Sequence, residues 1–146
     1  MIIQDIYLDR WDWSVRVFYE VDTIYINKII EDLRDIEDYD AEENVLGLVN
    51  SVYNAGYTFS HPKYRASIIV ITKTTSPDEF QSTFDHEKGH LAMHIASFEN
   101  IDVQSETFQY LVGDIGKKMF KVAKLFMCDC DKHKIQRLVN KGRELL

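Results

Sequence analysis

Nine residues, HEKGHLAMH at 86–94, hold three of the chain's five histidines together with Glu87. His86 and His90 stand four apart, so on a helix their rings project from one side, one turn from each other. That geometry suits two corners of a tetrahedral zinc site. Glu87 directly follows the first histidine and is rotated from it by roughly 100° around the helix. It is therefore placed to reach a water at the metal instead of the metal itself. Zinc acidifies such a water, and the carboxylate can take its proton and pass it to a leaving amine. A His-Glu-x-x-His match is expected only about 0.01 times by chance in a chain of this length and composition. The competing reading is a helix whose histidines are ordinary surface or core residues.

A site of this kind needs a third ligand. Glu106 lies beyond the break at "ENID", and a second helix returning antiparallel would bring it back towards the histidines. Asp102 and Glu99 are rivals within the connecting turn. His94 is another, but it stands two turns from His86, ~12 Å along the axis. It reads more naturally as a residue supporting the ligands, or as a surface histidine. Tyr110, one turn after Glu106, could orient a ligand or donate to a developing oxyanion. Ordinary packing is the alternative for it.

These residues must be positioned by the elements around them. Ser76 and Pro77 form a helix start, with the serine as cap and the proline in the first turn. The helix is expected to run to about Phe98. Phe80, Phe84, Leu91, Ile95 and Phe98 form its apolar stripe, with the histidine arc along one border. Gly89 falls in mid-helix, at a cost of roughly 1 kcal/mol against alanine, and close packing by another backbone would account for it. A second helix is expected over about 104–126 and a short one over 132–145. Upstream, "DIYL" and "SVRVFYEV" read as strands joined through "DRWDW". Asp22 and Thr23 cap a helix carrying Ile26, Ile29, Ile30 and Leu33. A further helix with Val45, Leu48, Val49 and Val52 is stopped by Gly56. "HPKYRASIIVITK" holds the clearest strand, centred on Ile68, Ile69, Val70 and Ile71. The order predicts one α+β domain over 1–146, a short sheet packed on helices.

Composition narrows the function. The chain is 45% hydrophobic and 28% charged, which is ordinary for a globular protein. Its formal net charge of -7 argues against a broad nucleic-acid surface. No apolar run is long enough to span a bilayer. The opening "MIIQDIYLDR" does not read as a secretory signal, and Cys128 and Cys130 are poorly spaced for a structural disulfide. A reducing, cytoplasmic setting is the expectation. "CDCDKH" at 128–133 offers two thiols and a histidine, but it lacks a paired knuckle with regular spacing and reads as surface thiols. The eight acids between Glu31 and Glu43 read as a solvated face.

His86, Glu87, His90 and Glu106 resemble the gluzincin pattern of zinc metallopeptidases. The glycine before the second histidine and "HLAMH" resemble the ImmA/IrrE-like minigluzincins, over roughly residues 65–120. The resemblance implies a zincin-like domain in which a motif helix is followed by a glutamate-ligand helix. It implies Zn2+ held by His86, His90 and Glu106, with Glu87 as general base. It also implies a peptide or protein substrate paired with the strand at Ile68 to Ile71. Relatives often carry Asp or Asn where this chain has Tyr110, and a small residue where it has Gln109. The expected activity is zinc-dependent peptide hydrolysis. The alternative is a zincin-like scaffold without turnover that binds a protein partner.

Overall fold

The computed structural model describes residues 1–140 and the backbone of 144–145. It is an α+β fold built on one mixed sheet. Strands β1 (Ile2–Leu8) and β2 (Trp13–Tyr19) form an antiparallel hairpin whose register runs from Ile2 opposite Tyr19 to Leu8 opposite Trp13. Asp12 turns the chain between them in the left-handed region, at φ 49°. Helices α1 (Ile26–Asp35) and α2 (Ala41–Asn50) follow. The next pair, β3 (Gly56–His61) and β4 (Ala66–Ile71), is again antiparallel, and β4 lies parallel to β2. Helices α3 (Pro77–Glu99), α4 (Glu106–Ala123) and α5 (Asp131–Asn140) complete the order. The residues 144–145 add a short strand, β5, parallel to β1. The strand order is β3-β4-β2-β1-β5.

The sheet is covered on both faces, which explains why "ASIIVI" shows no polar alternation. Ile69 and Ile71 of β4 face one core with Phe80, Phe84, Leu91 and Ile95 of α3 and Leu111, Ile115 and Met119 of α4. Ile68 and Val70 face the other, with Ile29 and Leu33 of α1 and Val45 and Leu48 of α2. Each fully buried aliphatic or aromatic side chain contributes roughly 1.5–3 kcal/mol relative to exposure. The apolar stripe of α3 therefore holds the motif helix firmly on the sheet. Phe98 is the exception in that stripe; it is exposed, yet stacks on Trp13 with centroids 5.9 Å apart.

Several expectations need correction. The strand β3 was not anticipated; it is the near arm of a hairpin that turns at 62–65. The helix α2 ends at Asn50, well before Gly56, so Gly56 does not stop it. The last helix covers Asp131–Asn140; its expected continuation through 141–143 lies outside the described residues, and 144–145 are strand. The acidic segment is mostly exposed, but Asp38 is buried and accepts a hydrogen bond from Tyr57 Oη at 2.7 Å. Among the described residues no helix is long and apolar enough to cross a membrane.

Candidate metal centre

The motif lies inside α3, whose start follows the expected chemistry. Ser76 accepts from the Glu79 amide at 3.3 Å, and Pro77 occupies the first turn. Ten residues into the helix, the His86 and His90 rings meet edge to face with centroids 4.7 Å apart. Their Nε2 atoms stand 3.1 Å from each other. Two imidazoles on one tetrahedral zinc, at ~2.0–2.1 Å each, would place these nitrogens about 3.3 Å apart. The pair therefore fits the ion with almost no adjustment. A carboxylate oxygen of Glu87 and the two ring nitrogens lie within 4.8 Å of one another.

Glu87 is buried beside this exposed pair. A carboxylate in that position needs a donor, since an unpartnered buried charge is costly. Thr58 on β3 supplies one, its hydroxyl donating to Glu87 Oε2 at 2.6 Å. Gly56 supplies the room: a Cβ at that position would lie 2.5 Å from Glu87 Cγ. The split along β3 is period two. Thr58 and Ser60 turn to α3, while Tyr57 and Phe59 pack with the α1–α2 core.

Ser60 reaches the third histidine. Its Oγ is 2.8 Å from His94 Nδ1 and 2.6 Å from Ser67 Oγ, which in turn accepts from the buried Trp13 Nε1 at 2.8 Å. His94 is half-buried, and desolvation, aided by nearby His90, holds its pKa below the usual imidazole value. This sets His94 against the sheet, one turn beyond His90. Together His86, Glu87, His90, Gly56, Thr58 and α2 residues such as Asn44 line a cleft of about 730 Å³.

The structure does not bring Glu106 to the histidines. The loop 100–105 is short, and α4 returns antiparallel with Phe108, Val112 and Ile115 facing Asp85, Lys88, Gly89 and Ala92 of α3. Glu106 is exposed in the first turn of α4 and is not among the donor atoms that gather with His86, Glu87 and His90. From His90 to Glu99 is nine residues of helix, about 13 Å along the axis. The α4 side of α3 also differs from the imidazole side, which faces β3 and α2. Tyr110 goes with Glu106; it stacks under the Arg10 guanidinium, 5.3 Å from its centroid. The rival ligands are engaged elsewhere. Glu99 pairs with Arg65 at 2.6 Å, and Asp102 accepts from the Gln104 amide within the turn.

Two further expectations change. Ile68, Ile69, Val70 and Ile71 have no free edge, because β4 is paired on both sides, by β2 and β3. The edge strand beside the histidines is β3. Gly89 is not packed by another backbone: nothing lies within 4 Å of a Cβ built there. Sequence reasoning missed Gly56, Thr58 and Ser60. The signal was present in Tyr57-Thr58-Phe59-Ser60, an alternation of apolar and polar residues ahead of a proline-containing turn.

A second group of donors converges elsewhere: Cys128, Cys130 and His133 offer ligand atoms within 4.8 Å of one another. Both cysteines are free thiols. Comparison with known proteins finds no matching family model, no similar curated protein and no similar solved structure.

Proposed function

We propose that the chain is a zinc-dependent peptidase with a zincin-like active site on α3. The observation that supports this most is the convergence of the His86 and His90 Nε2 atoms beside a buried, hydrogen-bonded Glu87 at the wall of a cleft. His86 and His90 would hold the metal. Bound zinc would supply a Lewis acid that polarises a carbonyl and acidifies water. Glu87 takes the proton from the attacking water and returns it to the amine that leaves. Thr58 keeps the Glu87 carboxylate turned to the cleft, and its single donated hydrogen bond leaves the other carboxylate oxygen for the proton. An extended substrate adds to the free edge of β3, which runs along the same cleft.

The test is zinc content joined to cleavage. Protein purified without a metal-affinity column and dialysed against trace zinc should hold zinc that His90→Ala removes. It should also cleave members of a mixed peptide library, and that cleavage should disappear with the same substitution. If His90→Ala leaves both the zinc content and the cleavage unchanged, the reading fails.

The position of Glu106 favours a second reading, a scaffold of the same shape that binds a peptide without turning it over. Zinc bound at His86 and His90 with no cleavage across the library would select it.

A further inference from the structure

We propose that Cys128, Cys130 and His133 form a second metal site, one that takes a thiophilic d10 cation, zinc above all. Three donors from a six-residue segment meet there. Cys128 Sγ is within hydrogen-bonding reach of His133 Nδ1 and 3.3 Å from Cys130 Sγ. Two thiolates on one zinc at ~2.3 Å stand about 3.8 Å apart. A small opening of the sulfur pair therefore admits the ion. Two soft sulfurs and one imidazole select zinc or copper(I) over calcium or magnesium, which take oxygen donors.

The segment is held in this shape before any ion arrives. Arg137, one turn beyond His133 on α5, donates to the carbonyls of Leu125 and Cys128 and pairs with Asp129 at 3.6 Å. Its guanidinium also lies over the Phe126 ring, 5.7 Å from the centroid. The carbonyl of Cys130 accepts from the Lys134 amide, so Cys130 sits at the mouth of α5, where the helix dipole favours a thiolate. A preorganised loop loses less entropy on binding than a free one.

The rest of α5 indicates what the ion does. None of its residues is buried, and Ile135, Leu138 and Val139 are exposed. Few core contacts tie this helix to the body. A cation shared by His133 in its first turn and Cys128 before it would clamp the start of α5 to the short 3-10 turn Lys124–Phe126. The role proposed for the ion is structural, because it ties a helix with no buried residue to the turn before it.

Cobalt(II) is the probe. The full-length protein, reduced with a phosphine and stripped of metal, is titrated while near-ultraviolet absorption is followed. A thiolate-to-cobalt charge-transfer band is expected in the parent and in the His86→Ala/His90→Ala double variant. It should vanish in Cys128→Ser/Cys130→Ser, with the far-ultraviolet circular dichroism unchanged. Amide exchange over 131–140 should slow on adding zinc to the parent and be unaffected in His133→Ala. A titration without any sulfur band overturns the proposal. So does metal binding that the His86→Ala/His90→Ala variant loses entirely. Because the two sets of variants touch different residues, failure here leaves the α3 reading standing, and the reverse holds too.

Discussion

Two stretches of this chain gather metal donors at short spacing, and they differ in everything around those donors. The α3 pair sits in the middle of a 23-residue helix whose apolar stripe is locked on the sheet. It borders a cleft, and beside it is a buried carboxylate whose partner, Thr58, lies 29 residues away in sequence. The donors at 128–133 lie at the mouth of a ten-residue helix with no buried residue, and the carboxylates among them, Asp129 and Asp131, are exposed. Both stretches could hold an ion, but only the first has a buried carboxylate, a cleft wall and a strand edge next to it. The difference between the two groups of donors is therefore in their surroundings, and those of the α3 pair are supplied by parts of the chain distant in sequence.

Removing the Glu87 carboxylate has the largest expected effect. Glu87→Gln keeps the volume and should leave zinc content at the parent level. Cleavage of any substrate should fall by ~10² to 10⁴, the usual worth of a positioned general base. His133→Ala, by contrast, should leave the cleavage rate unchanged. Equal loss in both variants would mean that the two regions are not separate.

Next in size is the wall. Gly56→Ala should force the Glu87 side chain out of its place, at about 1–3 kcal/mol of stability, the usual cost of overpacking. Thermal melting gives the stability change, and the cleavage assay should show a loss close to that of Glu87→Gln. Retained activity would mean that the carboxylate acts from another position.

Thr58→Val tests the donor alone. The shape is nearly kept, but a hydrogen bond to a charged group, worth about 1.5–3 kcal/mol, is lost. The expected result is a fall in kcat at constant zinc affinity, read by steady-state kinetics beside a zinc competition assay. Glu106→Ala, which the resemblance makes a ligand substitution, should leave zinc affinity near the parent value in the same competition assay.

The smallest effect has the opposite sign. Gly89→Ala adds a methyl group where nothing lies within 4 Å and removes a mid-helix glycine. It should raise stability by roughly 1 kcal/mol, seen as a higher Tm with zinc affinity unchanged.

The features legible in the sequence were those settled locally. Ser76 and Pro77 mark the start of α3 because a cap and a fixed φ act within one turn. The i, i+4 histidines converge because helix geometry alone brings them together. The run Ile68 to Ile71 is a strand, as its β-branched residues suggested, but its place in the sheet is decided by partners elsewhere. The expectation of a free edge there failed for that reason. Glu106 is not among the donors that gather with His86, Glu87 and His90, because where α4 turns back on α3 is fixed by tertiary packing and not by local pattern. Glu87's burial was also out of reach, because it depends on Gly56 and Thr58, contributed by a strand whose polar face was not recognised.

The line of contacts from Trp13 through Ser67 and Ser60 to His94 has a direction. An indole nitrogen can only donate. If Ser67 accepts from it, the arrangement that leaves no hydroxyl proton idle has Ser67 donating to Ser60, and Ser60 donating to His94 Nδ1. His94 is then the tautomer with its proton on Nε2. A tryptophan 81 positions earlier in the chain (13 to 94) thus sets the polarity of a ring at the centre. Trp13→Phe would leave the relay free to run either way, and the imidazole nitrogen shifts of His94 in 15N NMR would report a mixture where the parent shows one form.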